Sequence, residues 1–264
     1  MNLLETILLH KRKEVTARRK ECPVEQLREM PMFERRTLSL KQRLAGKPIA
    51  VIAEIKKASP SRGIIRDPFD PGAIACDYVE GGASALSVLT DVRFFQGSLA
   101  NLALVRHLVN VPLLRKDFIL DSYQLAEAKA HGADAVLLIV AALEPAHLVE
   151  LQDEAAALGL ESLIEVHTEA EVTSLDQSKC ELIGINNRDL ATFSTDLSVS
   201  LKLRPLIEKD LVVVSESGIS TVDDLRRLVD ANIHAVLIGE AFMRHERPGR
   251  ALAALLQEAG GTGS

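Results

Sequence analysis

Residues 211–218 read LVVVSESG: four apolar residues in a row run straight into Ser215, Glu216, Ser217 and Gly218. A segment that is apolar on both faces is stable as a strand only where both faces are covered, as in a parallel sheet flanked by helices. The same grammar recurs along the chain. IAVIAEIK (49–56) ends on Glu54 and Lys56, and VPLLRKD (111–117) ends on Arg115, Lys116 and Asp117. LESLIEV (160–166) carries Glu165, and LIGINNR (182–188) delivers Asn186, Asn187 and Arg188. Buried strands with a repeated polar tip place a site at one end of a parallel sheet.

Counting outward from these runs gives eight strands, at 49–55, 83–89, 111–115, 135–140, 160–164, 181–185, 211–215 and 235–238. Helical spacing fills the gaps near 71–80, 98–109, 121–131, 145–158, 168–177, 200–207, 221–230 and 249–258. Glycine closes several helices just before the next strand, as in EGGAS, HGADA and ALGLE. Ser220 is placed as the N-cap of TVDDLRRL, with Asp223 three residues on. Eight alternating units predict an α/β fold, a (β/α)8 TIM barrel, rather than an open doubly wound sheet. Residues 1–45 read as an N-terminal helical extension that Pro23 and Pro31 break into two or three helices. The whole of 1–264 is expected to form one barrel domain with that extension.

Composition agrees. Hydrophobic residues make up 47% of the 264 but aromatic ones only 3%, so the core must be aliphatic, which suits a parallel sheet. No apolar run reaches the length of a membrane span. The basic residues of MNLLETILLHKRK follow the apolar stretch, the wrong order for a secretory signal. Cys22, Cys76 and Cys180 are scattered and form no metal-ligand pattern, so buried free thiols and a cytoplasmic location are expected. The net charge of -6 hides an asymmetry: residues 1–66 hold 16 Lys or Arg against 7 Glu, and residues 67–264 hold 15 against 30 acidic residues. The cluster Lys11, Arg12, Lys13, Arg18, Arg19 and Lys20 lacks interleaved aromatics and is read first as a solvated helix face, next as a local attraction for a small anion, and last as a nucleic-acid surface.

Two chemistries gather at the strand tips. SESGIS after the seventh strand and LIGEAF after the eighth match the place where barrels bind phosphate through backbone N–H groups. Gly218 and Gly239 would let the main chain approach the oxygens, and Ser59 or Ser217 could add a hydroxyl donor. Glu240 is an awkward neighbour for a dianion, so contact there is expected through its main chain, with the side chain turned away. Neither GxGxxG nor GxxxxGK occurs. At the tips of strands one, three and five, Glu54, Lys56, Lys116 and Glu165 can converge over one cavity, since alternate strands share layers. Any one of them alone reads as a surface ion pair. Four at strand ends read as a proton-transfer site.

These segments resemble the indole-3-glycerol-phosphate synthase family of tryptophan biosynthesis. The matching pieces are AEIKKASPSRG (53–63), LLRKDF (113–118), LIEVH (163–167), GINNRDL (184–190), SESGI (215–219) and VLIGEAFM (236–243). The resemblance implies a lyase on a (β/α)8 barrel with no metal or organic cofactor. It converts 1-(2-carboxyphenylamino)-1-deoxyribulose 5-phosphate to indole-3-glycerol phosphate, carbon dioxide and water. It also implies catalytic positions at Glu54, Lys56, Lys116, Glu165, Asn186 and Ser217, with Arg188 on the side of the substrate's carboxylate. Its phosphate positions fall on Ser59, Gly218, Gly239 and Glu240, the last being often Ser in the family. The length implies the monofunctional form, without a fused isomerase barrel. The partner implied is a small anionic sugar phosphate, with no nucleic acid and no membrane. The protein is expected to be a monomer, and association with other enzymes of the pathway stays open.

Three other readings use the same residues. A sugar-phosphate isomerase would share the phosphate end but has no use for two lysines beside a carboxylate. A Schiff-base aldolase would use Lys116 as nucleophile. A non-catalytic binding barrel would lack one of the charged partners.

Overall fold

Every apolar run named above is a strand in the computed structural model, which describes residues 2–189 and 194–260. The eight are β1 (Ala50–Ile55), β2 (Ala85–Leu89), β3 (Leu113–Lys116), β4 (Ala135–Ile139), β5 (Glu161–Val166), β6 (Leu182–Asn186), β7 (Val212–Glu216) and β8 (Ala235–Ile238). Each pairs in parallel with its neighbour in sequence, and β1 also pairs with β8, with Ala50 opposite Ala235 and Ala53 opposite Ile238. The sheet therefore closes into a barrel and keeps no edge. Thirteen α-helices accompany the strands in the described residues: α1 (Leu3–Glu21), α2 (Val24–Arg28), α3 (Leu40–Leu44), α4 (Pro71–Glu80), α5 (Val92–Phe95), α6 (Leu99–Leu108), α7 (Ser122–Ala130), α8 (Pro145–Ala157), α9 (Glu169–Ser174), α10 (Ser198–Leu203), α11 (Val222–Asp230), α12 (Glu240–Met243) and α13 (Pro248–Gly260).

Strand alternation sorts the core into two layers. Val51, Ala53, Val88, Leu113, Val136, Ile164, Ile183, Val213 and Val236 face outward and meet the helices. Ala50, Ile52, Ala85, Leu114, Leu137, Leu163, Leu182, Val212, Val214, Ala235 and Leu237 fill the interior. Leu40 and Leu44 of α3 join that interior cluster, so α3 stops the barrel at the end where the strands begin.

The extension forms three helices and serves three places. Leu3, Leu4 and Ile7 of α1 reach the cavity at the opposite end of the barrel. Val15 and Leu27 pack with Tyr123, Ala126 and Ala130 of α7 on the outer wall. The third place is the stopper α3.

Several expectations are corrected. Lys11 is wholly buried rather than part of a solvated face: its ammonium lies 2.8 Å from Asp91, 2.9 Å from Asp117 and 3.0 Å from Glu14. The cap of α11 is Thr221 with Asp224, one residue beyond the expected pair, because Thr221 is the residue with extended backbone and its hydroxyl accepts from the Asp224 N–H. Of the three free thiols only Cys180 is buried; Cys22 and Cys76 are partly exposed. The loop after β1 contains a short antiparallel pair, Ala58–Ser59 with Gly63–Ile64, and the loops after β2 and β8 hold α5 and α12. None of these is long enough to show a periodicity in sequence. Leu190, the last residue of the GINNRDL piece, and residues 261–264 lie outside the described residues.

Candidate active site

Inward alternation carries Ile52, Glu54 and Lys56 up one face of β1, and Leu114 then Lys116 up β3. It likewise carries Leu163, Glu165 and His167 up β5, and Val214 then Glu216 up β7. The charged tips on the cavity floor sit on odd-numbered strands, with Arg188, beyond the end of β6, standing higher on the wall. The even strands answer with Leu89, Ile139, Asn186 and Leu237, which are apolar or neutral. That alternation is the layer rule of an eight-stranded barrel. Arg115, one residue out of phase, points the other way and is fully buried against Thr90, Asp117, Gln124 and Glu127.

These tips line a cavity of about 400 Å³. It takes in Glu54, Lys56, Ser59, Lys116, Glu165, Asn186, Arg188, Ser217, Gly218, Gly239 and Glu240, so every site residue expected from the sequence borders it. Leu3, Leu4, Ile7, Phe95 and Phe118 give it one apolar wall.

Two ammonium–carboxylate groupings occupy the floor. Lys56 Nζ stands 2.5 Å from Glu54 Oε1. Lys116 Nζ donates to Glu165 Oε2 at 2.8 Å and to Glu216 Oε2 at 2.6 Å. Burial works against the Lys116 ammonium, but Glu165, Glu216 and Glu54 outweigh it and raise its pKa. Burial likewise favours neutral Glu165, yet Lys116 and then His167 hold it well below the usual carboxylate range. Glu216 goes the other way: burial, reinforced by Glu165 and Glu54, outweighs Lys116 and pushes its pKa up to about 7. Its second oxygen, Oε1, is buried without a hydrogen-bond partner among the described residues.

His167 was not singled out from the sequence. Its ring nitrogens lie 3.3 Å from Glu165 and 3.5 Å from Glu171, at ion-pair distance but without hydrogen-bond alignment. Burial opposes its charge, and the two glutamates override it, lifting its pKa to about 10. Glu216 was also missed as a site residue. The signal was present, since the seventh strand is the fourth member of the alternate set that supplied Glu54, Lys116 and Glu165. Asp117 was read only as a strand tip. Lys11 and Arg115 hold it ionised despite burial, so α1 is tied down directly beside Lys116.

The expected phosphate end lies above β7 and β8. Ser217 and Gly218 both have positive φ, 69° and 75°, so the chain turns through two left-handed residues at the end of β7. Asn187 holds that turn: its Nδ2 donates to Ser215 Oγ and to the Ser217 carbonyl, each at 3.0 Å. A side chain at Gly218 would run into Thr195. At Gly239 it would overlap Glu54, so this glycine makes room for a carboxylate rather than for a turn. The Glu240 side chain is not turned away as expected. It borders the cavity, with its carboxylate 3.2 Å from Arg62 Nε, 3.6 Å from Arg188 Nη2 and 2.5 Å from Arg244 Nη2. Asn186 accepts from the Arg188 N–H at 3.0 Å and so helps set the direction of that loop. Among the described residues no group of His, Cys, Asp or Glu is arranged to hold a metal ion, and no helix is long and apolar enough to cross a membrane.

Solved structures share the architecture at low identity. One titled native KDPGal structure matches with a TM-score of 0.56 and 14% identity over 81% of this chain and 97% of its own. A designed cube-shaped, highly porous protein cage matches at 0.56 and 14% over 80% and 72%. Both show the fold alone. Sequence carries further. The family model for indole-3-glycerol phosphate synthase matches residues 4–255. The indole-3-glycerol phosphate synthase of Salinibacter ruber (strain DSM 13855 / M31) is 48% identical over 260 residues, covering 98% of this chain and 96% of that protein. With the barrel closed, the charged floor assembled and the match running nearly end to end, the chain belongs to the indole-3-glycerol phosphate synthase family, carboxy-lyases of tryptophan biosynthesis.

Proposed function

We propose that this cavity closes the indole ring on 1-(2-carboxyphenylamino)-1-deoxyribulose 5-phosphate, and that Lys116 is its first acid. The observation that carries the reading is the Lys116 ammonium gripped by Glu165 and Glu216 at 2.8 and 2.6 Å on the cavity floor. The ring carbon bearing the carboxylate attacks the ribulose carbonyl carbon, and charge grows on the carbonyl oxygen. Lys116 donates its proton there. Lys56, held by Glu54, faces the substrate carboxylate or serves as acid for loss of the new hydroxyl. Carbon dioxide leaves and restores the aromatic ring, the hydroxyl departs as water, and a proton of the adjacent ring methylene, the former ribulose C1, goes to Glu165, so that the new double bond forms and the nitrogen keeps its hydrogen. Asn186 and Ser217 orient the sugar chain. Ser59, Gly218 and Gly239 take the phosphate, with the Glu240 main chain beside them, and Arg188 takes the carboxylate side.

The electrostatics support the order of events. While Lys116 is charged, Glu165 is held far too acidic to serve as a base. Once Lys116 has given its proton away, that pull disappears and Glu165 gains basicity. The same grip weighs against a Schiff-base aldolase, which needs a neutral lysine. The apolar wall from α1, Phe95 and Phe118 suits the anthranilate ring. Because α1 lines the cavity and α3 stops the barrel, we take the extension and the barrel as one working domain. A biosynthetic role of this kind fits the cytoplasm. The test is direct: add the carboxyphenylamino-deoxyribulose phosphate to the protein and follow indole fluorescence. Absence of indole product from folded protein would refute the assignment.

A further inference from the structure

Four charged side chains stand together at the phosphate end, and the ring-closing chemistry uses only one of them. Glu240 lies on the cavity wall with Arg62, Arg188 and Arg244 around its carboxylate, at 3.2, 3.6 and 2.5 Å. The grouping spans three parts of the fold. Arg62 comes from the loop after β1, Arg188 from the loop after β6, Glu240 from α12 and Arg244 from the residue that caps α12. With Arg188 assigned to the substrate's carboxylate side, the guanidinium groups of Arg62 and Arg244 against the one carboxylate leave this end net positive, which suits a phosphate anion. α12 is only four residues long, so its N-terminus supplies little field of its own. The positive potential at this end of the cavity therefore comes from the arginines. Arg62 and Arg244 side chains are more than half exposed, so both can re-aim at little cost, whereas Glu240 is 20% exposed and anchored beside Gly239.

We propose that Glu240 is a resident counter-charge that holds Arg62 and Arg244 over the phosphate end, yields them to the phosphate of the incoming substrate, and reclaims them as the product leaves. This deepens the ring-closure reading and rests on it. In that reaction substrate and product both carry the phosphate, so a clamp of unopposed arginines would retain the product as firmly as it captures the substrate. A carboxylate competing for the same guanidinium groups weakens both complexes and speeds release. Arg62 and Arg244 thus become phosphate ligands in addition to the backbone groups, and Glu240 becomes a positioning residue that sets how tightly phosphate is held.

Calorimetric titration of the full chain with inorganic phosphate tests this without any turnover. Glu240→Gln is expected to bind phosphate about tenfold tighter than wild type, since one nearby negative charge is gone. Arg62→Gln and Arg244→Gln are each expected to bind it several-fold more weakly. In the Arg62→Gln/Arg244→Gln background, adding Glu240→Gln should recover much less than it gains in wild type, because the two guanidinium groups it competes for are gone and only Arg188 remains beside it. With substrate, Glu240→Gln should lower KM and also lower kcat through tighter product inhibition. A wild-type chain that binds no phosphate would overturn the phosphate end itself. A wild type that binds phosphate, with a Glu240→Gln variant that binds it no tighter, overturns this inference and leaves the ring-closure reading standing. A full Glu240→Gln gain in the double-arginine background would also overturn it, by reducing Glu240 to simple repulsion.

Discussion

Gly184 is a position where one added methyl group should reach the charged floor of the cavity. It lies on β6 below the cavity floor, and a Cβ built there would overlap Glu216 Oε1 deep inside van der Waals contact. That oxygen belongs to a buried carboxylate and has no hydrogen-bond partner among the described residues to resist the push. To restore ordinary contact the carboxylate must retreat by about 1 Å, and its other oxygen holds Lys116 at 2.6 Å. A misplacement of about 1 Å at a reacting group costs on the order of 100-fold in rate. Gly184→Ala is therefore expected to turn over about 100-fold more slowly while binding inorganic phosphate as wild type does, since the phosphate end is built elsewhere. The strain of overpacking should appear as a loss of about 1–3 kcal/mol in urea unfolding, measured in parallel. Shortening the displaced side chain should relieve the overlap, so Gly184→Ala/Glu216→Asp should be faster than Gly184→Ala alone. The assay is steady-state indole fluorescence with phosphate calorimetry on the same preparations. A folded Gly184→Ala protein within threefold of wild-type turnover would show that the seat of Glu216 does not control Lys116.

Other expectations follow from the same floor. Lys116→Ala should lower turnover by roughly 10²–10⁴-fold and leave phosphate binding intact; retention of more than about a tenth of the rate in the fluorescence assay contradicts its role as acid. In single-turnover quench experiments Glu165→Gln should release carbon dioxide at the normal rate and delay indole, whereas Glu54→Gln should slow carbon dioxide release by misplacing Lys56. If both stall before carbon dioxide leaves, Glu165 acts earlier than proposed. His167 has a folded pKa of about 10, raised from an ordinary 6.5 by Glu165 and Glu171 against burial. Its protonation stabilises the fold fully below pH 6.5, and that contribution is lost as pH rises through about 10. The stability gap between wild type and His167→Gln in urea should therefore shrink from pH 6 to pH 10, and a constant gap would refute the pairing.

Strands were legible because burial on both faces writes a continuous apolar run, and a run such as LVVV has one stable reading between helices. The site was legible where a charge ended such a run, as with Glu54, Lys116 and Glu165. What escaped was pairing across long separations. Lys11 looks like its solvated neighbours Arg12 and Lys13 until Asp91 and Asp117 are brought beneath it, 80 and 106 residues later in the chain. Glu240 reads as a misfit beside phosphate until Arg62 and Arg188 arrive from two other loops. His167 follows a strand that already offered Glu165, and Glu165 together with Glu171 on the next helix turns it into a cation. Short elements such as α5, α12 and the 58–64 hairpin are held by tertiary contacts rather than by local pattern, so local pattern is silent about them.

The stopper α3 also bears on how the chain is made. Leu40 and Leu44 leave the ribosome before any barrel strand exists, yet their burial site is the barrel interior, which is complete only when β8 joins β1. Throughout synthesis this short apolar segment must wait, first bare and then against a half-built, open-edged sheet. An order of manufacture in which the cork precedes the bottle leaves the nascent chain sticky for most of its translation. A circular permutant that begins at β1 and delivers residues 40–44 last would form the vessel first. It should depend less on chaperones during synthesis than the natural order does.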